Sequence, residues 1–143
     1  MKQIFYCAMI LIILMAVGCG RNVKVTGKVT FPDGSPLTVG KVVFETDSFV
    51  ATGPLLPDGT YTLGSIKAKD GVPPGTYRVA VAGAMQASGT QNMTSGSGNV
   101  SSTIAVTLYS PVIAKQFTSA ETSGITCEVK KSMTFDFQVE PPK

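Results

Sequence analysis

The sequence predicts an all-β domain with the architecture of an antiparallel β-sandwich, and three observations lead to that prediction. From Val23 onward, apolar and polar residues alternate with a period of two, as in strands that have one buried face. Clusters of Gly, Pro and Asp separate the alternating segments and are typical of turns. No stretch after Val23 sustains the 3.6-residue period of a helix. About seven short strands fit the length of the chain.

The alternating segments locate the predicted strands along the chain. They are residues 23–31, 41–46, 49–52, 60–63, 76–83, 125–129 and 133–139. Asp58 and Gly59 favour a tight turn, because Gly accepts a positive φ without a steric penalty. We therefore expect residues 49–64 to form a hairpin that buries Tyr61 and Leu63.

The N-terminus has the composition of an export signal. Lys2 supplies a positive start, and Ile4 to Val17 are fourteen uncharged and mostly apolar residues. A membrane-spanning helix needs roughly 20 such residues, whereas an apolar core of roughly 7–15 before small residues is typical of a signal peptide. The small residues here are Ala16 and Gly18, and Cys19 follows them.

The sequence Ala16-Val17-Gly18-Cys19 resembles a bacterial lipobox, with Ala16 where Leu is usual. The resemblance implies cleavage between Gly18 and Cys19 and acylation of the Cys19 thiol. The resulting divisions are a signal peptide over residues 1–18, a lipidated tether over 19–22 and a β-sandwich domain over 23–140. Alternatives are a simple secreted protein and an uncleaved signal anchor with an ordinary Cys19. The expected location is the cell membrane or the outer membrane, with the domain facing the periplasm or the cell surface. Gly20, where Asp would retain a lipoprotein on the inner membrane, fits the outer membrane or the cell surface.

Charge and composition argue against several classes of function. Twelve Lys and Arg stand against nine Asp and Glu, and the basic residues are scattered, so no nucleic-acid partner is expected. Lys130-Lys131 is interpreted as a solvated turn rather than a phosphate site. The absence of histidine excludes Ser-His-Asp and Cys-His catalysis and His-ligated metals, so no cofactor and no metal site are expected.

Carboxylate catalysis, for example on sugars, is the remaining enzymatic hypothesis, and no acidic pair has a spacing that supports it. Several of the carboxylates lie in turns, where Asp accepts local hydrogen bonds. Cys127 lies on the apolar face of its strand, which favours a buried small hydrophobe over a reactive thiol. Residues 83–102 are mostly Gly, Ser, Thr, Asn and Gln and predict a flexible loop, either a disordered insertion or an adaptable recognition loop.

Several motifs resemble the carboxypeptidase regulatory-like domain, a prealbumin (transthyretin)-like fold. They are Val25-Thr26-Gly27-Lys28-Val29, Asp33-Gly34-Ser35-Pro36-Leu37, Asp58-Gly59-Thr60-Tyr61 and Pro74-Gly75-Thr76-Tyr77. The tail is similar to that of small planctomycete-type lipoproteins of this fold, with Thr122-Ser123-Gly124-Ile125-Thr126 matching well. Residues 112–117 depart from that pattern, since a proline is missing and Phe117 replaces Tyr. The segment Glu121 to Gly124 is interpreted as a turn, with a ligand loop as the alternative.

The resemblance implies a seven-strand Greek-key sandwich and a non-enzymatic module. The expected function is therefore a membrane-anchored cell-envelope lipoprotein that acts as a binding or interaction module. Its N-terminal lipid would hold it to the membrane, and another envelope protein or a glycan would be its partner. The alternative is a structural protein that associates with itself as an envelope coat or scaffold, because exposed strand edges readily pair. The ligand-binding residues are not predicted.

Overall fold

A computed structural model describes residues 21–65, 67, 69–97 and 100–143. Among these residues the structure has ten strands and one short 3₁₀ turn, at Lys115–Thr118. The strands are β1 (Val25–Thr30), β2 (Lys41–Glu45), β3 (Val50–Pro54), β4 (Thr60–Thr62), β5 (Gly75–Ala82), β6 (Met85–Ser97), β7 (Val100–Pro111), β8 (Ile125–Val129), β9 (Met133–Thr134) and β10 (Phe137–Gln138).

Two sheets form the sandwich, which confirms the predicted all-β class. One sheet has the order β10-β1-β4, with β9 also paired to β1, and the other has the order β3-β2-β5-β8. If β9 and β10 are taken as one interrupted strand, the sandwich has seven strands. Strands β6 and β7 form a separate two-stranded sheet.

The core lies between the two sheets and follows the predicted alternation. Val25 and Val29 of β1 are fully buried, as are Val42 of β2 and Val79 of β5. Thr26, Lys28 and Thr30, which alternate with these valines in β1, are only partly buried. Alternate residues point to opposite faces of a strand, so a period of two in the sequence is enough to place these side chains.

The last predicted strand, residues 133–139, is interrupted and runs parallel to β1, so the sandwich is not purely antiparallel. At the break, the Asp136 carboxylate accepts a hydrogen bond from the Lys28 amide at 2.7 Å. The Phe135 carbonyl accepts one from the Tyr61 hydroxyl at 2.6 Å. Two side-chain hydrogen bonds thus serve backbone groups at the break, which an alternating sequence pattern does not reveal.

The predicted hairpin over residues 49–64 is also wrong, because β3 and β4 belong to different sheets. Only an isolated bridge between Thr52 and Gly64 connects the two segments. The Asp58-Gly59 turn forms, with Gly59 at φ 80°, but it closes a local loop between Leu56 and Thr60 rather than a strand ladder. Tyr61 and Leu63 are buried as expected.

The predicted loop over residues 83–102 is the third difference. The structure places residues 85–97 in β6, which pairs along its whole length with β7. Residues 98 and 99 lie outside the described part of the chain. Composition argued against order here because these residues have little to bury, but backbone pairing with residues 100–111 needs no apolar side chain. The prediction of an irregular backbone is wrong for the described residues, whereas mobility stays a prediction.

Candidate functional site

Strands β6 and β7 form a long two-stranded antiparallel ribbon, here called the ribbon, that is rooted in the sandwich. At its base Gly83 adopts a φ of 67°, and the Val112 amide donates to the Ala84 carbonyl at 3.0 Å. Ala84 and Ile113, which flank the two strands, are buried in the core. At about 3.4 Å per residue, twelve residues give the ribbon a length of roughly 40 Å. The sandwich therefore fixes the base of the ribbon.

One face of the ribbon carries a row of aliphatic side chains, mostly from β7, and several of them are exposed. The pairing places Met93 opposite Ile104, with Val106 and Leu108 further along the same face. Met93 is 57% exposed and Ile104 is 60% exposed. Aliphatic side chains of a strand are usually buried. Where a protein exposes a patch of them, the patch tends to be an interaction site.

The opposite face of the ribbon is polar over most of its length. It carries threonines from both strands, and Thr94 and Thr103 share a hydrogen bond of 3.1 Å between their hydroxyls. A β-bulge between Ala87 and Gly89 changes the alternation of β6. Beyond the bulge, Tyr109 lies on this polar face and is 61% exposed.

The ribbon is uncharged, and its long edges are unpaired. No Asp, Glu, Lys or Arg occurs between Arg78 and Lys115. In the described chain β6 and β7 pair only with each other. Unpaired strand edges without charged residues are ready to accept another strand. Backbone pairing and apolar contact are therefore the interactions that the ribbon offers.

The predicted lipidation and cleavage residues, Cys19 and Gly18, lie outside the described residues, as does the signal peptide over residues 1–18. Cys127 is a buried free thiol that packs in the core. Burial raises the pKa of the Cys127 thiol, which disfavours the nucleophilic thiolate. The interpretation of Cys127 as a small hydrophobe is confirmed.

The segment Glu121 to Gly124 is a turn whose hydroxyls have internal partners. Ser123 is buried and its hydroxyl donates to the Val79 carbonyl. The Thr122 hydroxyl donates to the Gln116 carbonyl at 2.7 Å, and Gly124 has a φ of 69°. The Ser123 hydroxyl ties the turn to β5 and the Thr122 hydroxyl ties it to the 3₁₀ turn, so the turn interpretation is confirmed over the ligand loop.

Two aspartates of the predicted turns serve local structure. Asp33 accepts from the amide and hydroxyl of Ser35, and Asp58 does the same with Thr60. These hydrogen bonds lower the pKa of both carboxyl groups. Within the described ranges, no group of three or more His, Cys, Asp or Glu residues could hold a metal ion. Lys130 is exposed and pairs with Glu128 at 3.0 Å, as expected of a solvated turn.

Two open grooves lie elsewhere on the described chain. One of about 320 Å³ is lined by Thr52, Thr62, Lys67 and Lys69 among others, and one of about 500 Å³ lies between the 3₁₀ turn and the C-terminal tail. Neither contains a buried unpartnered polar side chain. Over the described residues, no helix is long and apolar enough to cross a membrane.

Comparison with known proteins identifies no family for this chain. No family model and no curated protein matches the sequence. A DUF3823 family protein from Bacteroides ovatus has a crystal structure similar to this chain, with 18% sequence identity and a TM-score of 0.42. The match covers 84% of this chain and 45% of the other, so the chain spans about half the length of that protein.

The ribbon is the functional candidate that sequence reasoning missed. Its signal was present in the alternation of Ile104, Val106 and Leu108. The glycines and serines of β6 concealed it, because they resemble loop residues and have no apolar face of their own.

Proposed function

We propose that the protein is a lipid-anchored, non-catalytic interaction module of the cell envelope, and that the ribbon is its contact element. The observation that carries the proposal is the ribbon's uncovered face, where Met93 and Ile104 are each more than half exposed. Exposed aliphatic side chains on an uncharged element that is fixed to the sandwich are typical of a binding surface. An envelope protein or a glycan would be the partner, and no nucleic acid would be bound.

The N-terminal sequence supports the anchor. An apolar segment that ends at Gly18 and Cys19 suits cleavage and acylation, and several acyl chains on one cysteine would hold the domain at a membrane. The resemblance to small lipoproteins with a carboxypeptidase regulatory-like, prealbumin-like domain supports the same assignment. The domain would then face the periplasm or the cell surface. The lack of histidine supports the non-catalytic role.

The anchor is tested by the variant Cys19→Ser, expressed in a bacterial host that processes lipoproteins. We expect this variant to lose incorporation of labelled fatty acid and to leave the membrane fraction. Cys7→Ser is the matched control, because it changes a cysteine within the signal segment and should leave acylation intact. Unchanged mass and fractionation of Cys19→Ser would overturn the anchor.

The contact role is tested by cross-linking in intact cells with a tag after Lys143. The comparison is with a shortened variant in which an Asn-Gly turn replaces Gln86–Ser110 and joins the paired residues Met85 and Pro111. We expect the full chain to give defined cross-linked species that the shortened variant lacks. The same species from both proteins would overturn the ribbon as contact element. Circular dichroism verifies that the shortened variant keeps the sandwich.

A further inference from the structure

Resting on the proposed contact role, we propose that the partner of the ribbon is the ribbon of a second copy of this chain. The two β7 strands would pair antiparallel along their free edges, centred on Val106. The result would be a continuous four-stranded sheet in which the two β7 strands are central.

The choice of β7 over β6 follows from the regularity of the two edges. β6 contains the bulge next to Gly89, and it carries Gly96 as well. Bulges and glycines weaken the pairing of a strand. β7 has no glycine and is rich in Thr, Val, Ile and Leu, which favour strands. The edge of β7 is the better template for a third strand.

The choice of a second copy over another macromolecule follows from charge. The 36 residues between Arg78 and Lys115 carry no charged side chain, so the ribbon has nothing to attract a phosphate backbone or an anionic lipid. Two identical neutral edges meet without repulsion. Charged residues and prolines, which usually protect strand edges from such pairing, are absent from β7 before Pro111.

The register follows from the apolar face. With Val106 opposite Val106 of the second copy, Ile104 lies opposite Leu108 of that copy, and the two strands place six aliphatic side chains side by side. A shift by one residue would set these side chains on opposite faces and lose the contact. Met93 would flank the patch from β6, because it lies opposite Ile104.

The size of the contact predicts its strength. A single pair of strand edges buries less than the roughly 1,200 Å² typical of stable complexes, so we expect a reversible dimer at micromolar concentration. Confinement of both copies to one membrane would raise their effective concentration and favour the pairing.

The test is disulfide cross-linking of full-length protein that carries one cysteine substitution in the ribbon. The reaction is carried out in isolated cell envelopes treated with a mild oxidant. Val106→Cys lies on the proposed two-fold axis and should form a dimer of twice the chain mass. Met93→Cys, on the same face but on β6, is the matched control and should give several-fold less dimer. The unchanged chain shows the background from Cys127 and from any unacylated Cys19.

Equal dimer yields from Val106→Cys and Met93→Cys, or none from Val106→Cys, would overturn the pairing. A cross-linked product of another mass would also overturn it and identify a different partner. Failure of Val106→Cys while the shortened ribbon variant still loses its cross-links would leave the proposed contact role standing. Failure of both experiments would end both proposals.

A second variant keeps the proposal testable if cysteine disturbs the strand. Val106→Lys places a charge at the centre of the proposed interface, whereas Thr94→Lys places one on the polar face of β6. Sedimentation of the full chain in mild detergent should give a dimer for Thr94→Lys and a monomer for Val106→Lys. Dimers from both variants would contradict the register.

Discussion

Met93 and Ile104 lie directly opposite each other in the ribbon, and more than half of each side chain is open to solvent. The same pair in a packed sheet would contact a second layer. Two strands alone are marginally stable in water, and here the base of the ribbon, rather than its apolar face, is fixed by the core. This pair therefore presents aliphatic surface to solvent in the described chain.

The first prediction compares Ile104, which lies within β7, with Ile113, which lies just beyond its C-terminal end. Ile104→Ala should change the free energy of unfolding by no more than about 0.5 kcal/mol, because Ile104 is exposed. Ile113→Ala should cost about 2–5 kcal/mol, because Ile113 is fully buried. Urea denaturation followed by circular dichroism measures both. A large cost at Ile104 would mean that the ribbon's apolar face is packed within the single chain.

The second prediction concerns Gly27, which lies under the break between β9 and β10. A Cβ at Gly27 would lie 1.9 Å from the Phe135 carbonyl oxygen, a backbone atom that cannot move freely. Gly27→Ala should therefore cost at least about 2 kcal/mol of stability. Gly89→Ala is the control, because nothing lies within 4 Å of its Cβ position. Equal stability of the two variants would show that the strands at the break are farther apart.

The third prediction concerns the hydroxyl of Tyr61, which reaches over Gly27 of β1 to the Phe135 carbonyl. Tyr61→Phe should cost about 1–3 kcal/mol, since it leaves the carbonyl without that donor in a partly buried place. Tyr109→Phe removes the hydroxyl of an exposed tyrosine and should leave the urea midpoint unchanged. The comparison would fail if both variants lost the same stability.

The fourth prediction is a pH dependence from the two Asp-Gly turns. Hydrogen bonds from Ser35 and Thr60 lower the pKa of Asp33 and Asp58 below the usual 3.8 in the folded protein. These carboxylates therefore stabilise the fold above a pH of about 4, and that contribution is lost as pH falls through their folded pKa values. The urea midpoint of the native chain should therefore fall between about pH 5 and pH 2, which is roughly the range over which these carboxylates become protonated.

The variant Asp58→Ser tests that assignment. A serine at this position keeps an oxygen acceptor for the turn but does not titrate, so its unfolding midpoint should fall less steeply in acid than that of the native chain. An equally steep fall would assign the acid sensitivity to other groups.

The fifth prediction concerns Cys127, whose thiol is buried. Burial raises the pKa of this thiol. A thiol reagent at neutral pH should modify it many times more slowly in the folded chain than in denaturant. Mass spectrometry of the time course gives the two rates. Fast modification of the folded chain would show that β8 opens readily.

The sandwich could be predicted because its strands have one buried face, and Val25, Val29, Val79 and Cys127 follow from alternation alone. The pairing partners of the strands could not be predicted, because a sequence pattern does not indicate which strand edge another strand joins. The split of β9 from β10 depends on Asp136 and Lys28 meeting across 108 residues of chain. The ribbon was missed because β6 alternates among small polar residues, which carry no signal of a buried face.

The measurement that tests the central claim most directly is the labelling rate of Ile104→Cys by a small maleimide. The purified chain at high dilution should react quickly, because this position is open to solvent. In isolated cell envelopes the same cysteine should react several-fold more slowly, while Thr118→Cys, exposed on the 3₁₀ turn, should react equally in both. Equal rates for Ile104→Cys in the two settings would contradict a covered ribbon and with it the interaction role.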